Sequence, residues 1–394
     1  MAAPQKEGFK VKVIAFYLPQ YHETKENNEW WGEGFTEWTG VRNAKPLYPF
    51  HYQPTVPLDE MYYDLSDVAA IKHQARLAKE YGIYGFCIYH YWFNDETRLL
   101  TKPAEIILNN KEIDIRYCFS WANESWIRSW SGIRGNNWNL AEENKLKQQG
   151  PIILAKQEYG NESSWEAHFN YLLPFFEDSR YIRIDGMPVF ILYKPENIPC
   201  MHSMLNKWNE LARLNDLGGI YFVSTNNLEI QDDNLKANVI FEPGNYFSKK
   251  SLCRTMKKTL IRKLREQGRN VINFYSYDSL WKNILASDYD SVRPTMLGGM
   301  VGFDKTPREG RNAHIFLGKN QKKFKKYLRL LFRKSKERGQ EFLFLNAWNE
   351  WGEGAYLEPD TKYGYKFLEA VKEVVDEFSK RGKEDVLLCN WRKD

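Results

Sequence analysis

The sequence predicts one α/β domain, a (β/α)8 barrel with extended loops at the C-terminal face, and three observations carry that expectation. Eight short apolar runs recur along the chain, at residues 11–18, 84–91, 115–121, 188–193, 220–224, 239–242, 296–303 and 341–348. Several are apolar nearly throughout, as strands are when both faces of a parallel sheet are covered. Polar, helix-like segments separate the runs, and neither an internal repeat nor a Pro-, Gly- or Ser-rich linker divides the chain. Such alternation builds parallel strands with helical crossovers. A doubly wound open sheet is the rival, and no Gly-rich phosphate loop follows the first run to support its dinucleotide-binding form. The expected organisation is a polar tail at 1–10, the barrel at 11–380 and an extension at 381–394.

In chain order, the first run ends at Pro19 and leads into an aromatic- and Pro-rich stretch, 21–64, too long for an ordinary strand-to-helix loop. In a barrel such a stretch lies over the C-terminal face, where active sites are built, and 121–158 after the third run sits likewise. Ser66 and Asp67 offer a helix start and Gly82 a stop, so 66–81 reads as the helix before the second run. Residues 164–176 and 204–215 read as the helices before the fourth and fifth. The seventh run is the weakest strand, because Gly298-Gly299 interrupts it.

Of the 394 residues, 43% are hydrophobic, 15% aromatic and 27% charged, which excludes a disordered chain and a small disulfide-stapled module. No window approaches the ~18–20 apolar residues that a membrane span requires, and no secretory leader is read. Cys87, Cys118, Cys200, Cys253 and Cys389 are widely spaced without a CxxC pair, and read as reduced structural thiols of a cytoplasmic protein.

The net charge of +5 is unevenly spread. Residues 249–269 carry nine Lys or Arg against Glu266, and 319–338 carry ten against Glu337. Phe324, Tyr327, Leu328, Leu330, Leu331 and Phe332 give the second segment the stripe of a helix with a buried face and a basic outer one. Solvated helix faces are the plain account of this charge. An anionic membrane surface is the functional one, and it would set the protein peripherally on the inner membrane. Nucleic acid is an unlikely partner, because no recognised nucleic-acid motif accompanies the charge.

The densest chemistry closes the eighth run, at Asn346-Ala347-Trp348-Asn349-Glu350-Trp351-Gly352-Glu353-Gly354. Glu350 and Glu353 leave a buried strand and enter a tight turn, which in a barrel aims carboxylates at the site. Paired carboxyls cleave glycosides: one protonates the leaving oxygen, and the other supports attack on the anomeric carbon. Exposed turn pairs of this spacing are also common. Other strand ends add rings and polar groups: Tyr17, Gln20 and His22 after the first run, then Trp31 and Glu37 in the loop beyond. His90 and Trp92 close the second, and Trp121, Asn123 and Glu124 the third. Glu242 closes the sixth, while Trp348 and Asn349 precede the glutamates of the eighth. Sugars stack their C–H faces on rings and exchange hydrogen bonds with such polar groups, so these residues are expected to line the substrate site. Core packing, or a loop cap for Glu242, is the plainer alternative for each. The seven histidines form neither HxH nor HExxH, so no metal or other cofactor is expected. Asp288-Tyr289-Asp290 has the Asp-x-Asp pattern of nucleotide-sugar transferases but follows a helix-like segment.

The motifs of residues 15–22, 31–38, 89–93, 121–124 and 346–354, continued by Leu357-Glu358-Pro359-Asp360 and Tyr363-Gly364-Tyr365, resemble the WbsX-like family of bacterial polysaccharide proteins. That family is commonly labelled a glycosyltransferase of lipopolysaccharide or O-antigen synthesis, and its fold and final motif resemble the family-99 glycoside hydrolases, the endo-α-mannosidases. The resemblance implies a metal-free (β/α)8 barrel acting on an oligo- or polysaccharide of α-manno or α-rhamno configuration. It implies that Glu350 takes the proton of the sugar 2-hydroxyl, which attacks the anomeric carbon as an internal nucleophile. Glu353 would then protonate the leaving group and later activate water, with retention. Trp351 stands where the mannosidases often have His. Transfer from or to a lipid-linked sugar, or sugar binding without catalysis, are the alternatives.

Overall fold

The computed structural model describes residues 10–127, 153–249, 251–269 and 271–390. Eight parallel strands close on themselves: β1 (Lys12–Tyr17), β2 (Ile83–Trp92), β3 (Arg116–Trp121), β4 (Met187–Leu192), β5 (Tyr221–Thr225), β6 (Leu235–Val239), β7 (Thr295–Met300) and β8 (Phe342–Asn346). Each pairs with its neighbours in sequence, and β1 closes the ring by pairing with both β2 and β8. This is the (β/α)8 barrel that the alternating runs predict.

Helices ring the barrel and cap its ends. They are α1 (Lys25–Trp31), α2 (Glu37–Asn43), α3 (Val68–Glu80), α4 (Lys102–Asn109), α5 (Glu162–Glu177), α6 (Met201–Leu214), α7 (Gly244–Ser248), α8 (Leu252–Glu266), α9 (Tyr277–Ala286), α10 (Thr306–Glu309) and α11 (Gln321–Glu337). A last helix, α12 (Lys366–Asn390), runs through residue 380, where the sequence suggested a boundary. The Asp67 side chain caps α3, and Gly82 beyond its end has φ +81°, so the expected start and stop are both present. The stretch 21–64 is not structureless. Thr24 caps α1, and a Thr36–Thr39 capping box starts α2, which carries Glu37 as its first residue. Of the long stretch 121–158, residues 128–152 lie outside the described residues.

Two departures from the expected strands have physical causes. The sixth strand lies at 235–239 rather than 239–242, because its polar Asn238 is buried and satisfied by Ser224, Ser291 and Thr295. The apolar Ile240 and Phe241 belong to the turn that follows it. The seventh strand forms because of its glycines. A Cβ on Gly298 would stand 1.8 Å from the Ile240 carbonyl oxygen just beyond the neighbouring strand, and one on Gly299 would stand 2.8 Å from Trp281 and 3.0 Å from Leu331 of the covering helices.

The basic helix α11 buries Phe324, Leu328, Leu331 and Phe332, and several of its charges are matched. Lys325 pairs with Glu373, and Arg329 with Glu377 at 2.7 Å, both on α12; Lys323 pairs with Asp278 at 2.5 Å. Just beyond, Arg338 lies 3.9 Å from Asp288 and 3.1 Å from Asp290, so an ion pair uses the Asp-x-Asp carboxylates. Among the described residues no cluster of His, Cys, Asp and Glu is arranged to hold a metal, and no helix is long and apolar enough to cross a membrane. Cys87 and Cys118 are buried free thiols and Cys200 is half-buried; the side chains of Cys253 and Cys389 lie outside the described residues.

The Gly298 contact yields a test. The atom a new methyl would meet is backbone, so Gly298→Ala is expected to cost at least about 3 kcal/mol or to prevent folding. Urea unfolding measures it, and a loss below about 1 kcal/mol would show that the strands part there freely.

Candidate active site

Beyond β8, Asn349–Glu350 pairs antiparallel with Ala355–Tyr356, and a single helical turn, Trp351–Glu353, closes the loop through Gly354 at φ +61°. This folds Glu350 and Glu353 back onto one side. The turn is bolted to the first strand's exit. Asn349 accepts from the Leu18 N–H at 2.7 Å and donates to the Leu18 carbonyl at 2.9 Å, while Tyr21 bonds the Asn349 carbonyl and receives the Trp351 N–H. Behind the turn the Trp351 indole stacks on Tyr356 and donates to Glu358 at 2.6 Å. Gln74 and Tyr63 also donate to Glu358, yet burial pushes its carboxyl up to about 7. Trp351 is therefore part of the turn's support.

In front of the turn, one guanidinium holds three carboxylates. Arg308, on α10 after β7, donates from Nε to Glu37 at 2.6 Å, from Nη1 to Glu353 at 2.7 Å and from Nη2 to Glu350 at 2.8 Å. Lys305 on the preceding turn lies 3.5 Å from Glu353 and 3.0 Å from Glu309. Gly352 makes room for the clasp: a Cβ there would stand 1.8 Å from the Glu37 carboxylate and 2.8 Å from Arg308 Nε.

Four carboxylates against two cations leave the cluster short of positive charge. The shortage falls on the most buried acid. The Glu350 side chain is 7% exposed against 16% for Glu353. Burial first, then the Glu353 and Glu37 charges, push Glu350 up to about 8 against the pull of Arg308. Burial opposes the Arg308 charge, but the three carboxylates hold its pKa well above its ordinary value. Burial and the neighbouring carboxylates thus favour the protonated form of Glu350 more than they would for a free carboxyl.

These groups floor a cleft of about 710 Å³, open at the C-terminal ends of the strands. Gln20, Trp31, Phe35 and Glu37 line it from the first connection, Tyr89 and Tyr91 from β2, and Glu124 and Trp126 from beyond β3. Tyr193 follows β4, Phe241 and Phe247 follow β6, and Phe303, Lys305, Arg308 and Glu309 follow β7. Glu124 is held above the usual carboxylate range by burial, against the pull of Lys194.

Of the residues expected at the site, Gln20, Trp31, Glu37, Glu124, Glu350 and Glu353 line this cleft. The others do not. Tyr17 faces out of the barrel, donating to Gln74 of α3, and Trp348 is fully buried against Phe86. Asn349 is spent on Leu18, and Asn123 on Tyr159 and the Lys194 backbone. His22 is buried away from the cleft, where burial lowers its pKa. Glu242 caps α7, accepting from Asn245 at 2.7 Å and the Tyr246 N–H at 3.0 Å.

The displacement of His90, Trp92 and Trp121 follows from strand geometry. Successive side chains on a strand face opposite ways, so Tyr89 and Tyr91 reach the cleft while His90 and Trp92 face outward, under α5. There His90 meets His168 at 2.8 Å, with Trp92 stacked on the His168 ring and Trp121 against its edge. Burial pushes His90 down to about 3 and His168 well below its ordinary value, so both rings stay neutral packing partners. Arg308 was not anticipated. Its signal was the charged run Lys305-Thr306-Pro307-Arg308-Glu309 just past the seventh apolar run, at the same end of the barrel as the glutamates.

The sequence profile of the family described as glycosyltransferase WbsX matches residues 13–371. The chain belongs to that family. Two curated relatives of this WbsX-family chain, each an uncharacterised protein WxcX of Xanthomonas campestris pv. campestris, are 32% and 31% identical over 383 residues, covering 94% of this chain and 50% of theirs. The chain spans about half the length of these relatives. Among solved structures it is similar to a GH99 endo-alpha-mannosidase from Bacteroides thetaiotaomicron, at 13% identity and TM-score 0.51 over 94% of this chain and 98% of that one. A structure described as a glycoside hydrolase-like protein matches at 14% identity and TM-score 0.52, over 95% of this chain and 96% of that one. At such identities the likeness is one of fold.

The charge shortage at Glu350 has a thermodynamic signature. A carboxyl whose folded pKa lies above its unfolded one favours the folded state at low pH and loses that advantage as pH rises through the folded value. Glu350→Gln is therefore expected to gain on wild type by about 2–5 kcal/mol between pH 4.5 and 8, read from urea unfolding across that range. A difference that stays flat would show that Glu350 is ionised throughout.

Proposed function

We propose that this chain is a retaining glycoside hydrolase that cleaves within α-manno- or α-rhamno-configured bacterial polysaccharide, with the sugar 2-hydroxyl as nucleophile. The observation that carries the reading is the placement of Glu350 and Glu353 on two nitrogens of one guanidinium at the floor of an aromatic-lined cleft. Two carboxyls that share one proton are the minimum equipment for this reaction. Glu350 removes the proton of the 2-hydroxyl as O2 attacks C1 and the bond from C1 to the leaving oxygen breaks. Glu353 gives its proton to that oxygen. Water, deprotonated by Glu353, then attacks C1 and opens the 1,2-anhydro ring, and Glu350 returns its proton to O2. Two inversions at C1 give retention. The cycle needs one proton on the pair, resting on Glu353 when substrate is bound, and Arg308 spans both carboxyls between which it must be redistributed.

The rings of Trp31, Tyr89, Tyr91, Trp126 and Tyr193 offer faces and edges for sugar C–H groups along the cleft. Both cations lining it, Lys305 and Arg308, are engaged by carboxylates, so among the described residues none is left there for a nucleotide diphosphate. The family's description favours a second reading, transfer to a sugar hydroxyl in place of water, which would use the same pair.

Two variants and one pH profile test the roles. On polysaccharide, Glu350→Gln and Glu353→Gln are each expected to lose about 10²–10⁴ in kcat. On an aryl glycoside whose leaving group needs no protonation, Glu353→Gln recovers most of kcat/KM, which reports the first step, while its kcat stays low for want of the base that activates water; Glu350→Gln recovers neither. The opposite pattern would exchange the two roles. For wild type, kcat/KM falls about tenfold per pH unit above pH 8 as the pair loses its last proton. An inverted product by proton NMR, or cleavage of a 2-deoxy substrate, would remove the internal nucleophile; elongated products with an added sugar acceptor would decide for transfer.

A further inference from the structure

The helix α8 carries an apolar stripe that nothing in the described structure covers. Leu252, Met256 and Leu260 lie on successive turns of one face and are 85%, 72% and 57% exposed, while Ile261 on the opposite face is buried against the body of the protein. The helix is tied down by its inward basic groups, which bond main-chain carbonyls: Arg254 those of Tyr246 and Lys249, Lys257 that of Phe274, and Arg265 those of Val271 and Arg311. Of its exposed basic groups, Lys263 falls on the face of the stripe, and Arg262 and then Lys258 lie progressively further round one side of the helix. Among the described residues the single carboxylate near them is Glu266, 3.9 Å from Arg262. An exposed apolar stripe with a lysine on its face and further basic groups round one side suits a helix that lies in the plane of an anionic lipid surface.

We propose that α8 docks this protein onto the surface of an anionic membrane, with Leu252, Met256 and Leu260 in the headgroup boundary and Lys258, Arg262 and Lys263 against lipid phosphates. Charge complementarity favours lipid over a second copy of the chain, since the same face of another α8 would bring like charges together. The helix also follows α7 directly, and Gly244 and Phe247 of α7 line the cleft. Docking there would hold the cleft's rim beside the bilayer, within reach of a saccharide attached to lipid. The inference does not depend on which reaction the cleft performs.

Vesicle co-sedimentation tests it, using phosphatidylcholine alone and phosphatidylcholine mixed with phosphatidylglycerol. Wild type is expected to sediment with the mixed vesicles, and less so at high salt. Leu252→Ser/Met256→Ser/Leu260→Ser and Lys258→Glu/Arg262→Glu/Lys263→Glu each bind at least about tenfold more weakly. Lys322→Glu/Lys326→Glu/Arg333→Glu on α11 changes the net charge equally and retains most of the binding. All these side chains are exposed, and unchanged thermal unfolding confirms that each variant folds. Wild type that ignores mixed vesicles, binds both kinds equally, or loses binding through the α11 variant instead would overturn the proposal. So would a wild-type dimer in sedimentation that the serine variant dissolves while neither binds vesicles.

Discussion

The open end of this barrel is organised around the charge of Arg308. Remove its guanidinium in thought and Glu37, Glu350 and Glu353 converge on one spot with nothing to offset their repulsion, at a depth where water screens little. Each of the three comes from a different element, α2, the strand after β8 and the turn beyond it, so the clasp also fixes how those elements meet. Gly352 shows how tight the fit is, since the turn that carries the acids has no room for one more carbon. The same interaction that holds the cleft together sets its chemistry. Three donors on three carboxylates do not neutralise them, and the shortage, with burial, raises the pKa of the most buried acid.

A second buried carboxylate clarifies why that proton matters. Glu358 sits behind the same turn, accepts from Gln74, Tyr63 and Trp351, and faces no cleft. Burial raises it as it raises Glu350, but its donors are fixed scaffold groups and no substrate can reach it. The acids thus divide by access. Glu358 makes the turn rigid, with Trp351 and Tyr356 stacked beside it, and this rigidity lets Glu350 and Glu353 face the cleft without collapsing onto one another.

Much of the barrel was legible because burial on both faces of a parallel strand leaves an unmistakable apolar run. Where a strand carries buried polar groups, as β6 does with Asn238, that signal fails and the run slides into the following turn. The site was legible only where the chain breaks from the strand. Glu350 and Glu353 stand in a turn whose composition has no structural excuse. Within β2 the reading fails by one residue: composition cannot say whether the odd or the even side chains face inward, and the polar-looking His90 proved to be a neutral ring among aromatics while Tyr89 and Tyr91 took the cleft. Arg308 eluded the reading for a different reason. A lone arginine on a short helix acquires meaning only from partners 271, 45 and 42 residues away.

The two basic segments make the complementary point, that equal charge can have unequal consequences. Helix α11 spends its apolar stripe on the barrel and on α12, and Lys325 and Arg329 meet glutamates of α12 there, so part of its charge is matched by a packed neighbour. Helix α8 has a similar count of basic residues but turns its apolar stripe to solvent and finds almost no acid. A solvated helix face gains nothing from Leu252, Met256 and Leu260, which lower solubility and invite self-association unless something covers them. Charge alone left both segments equivalent; the direction in which the leucines point distinguishes them.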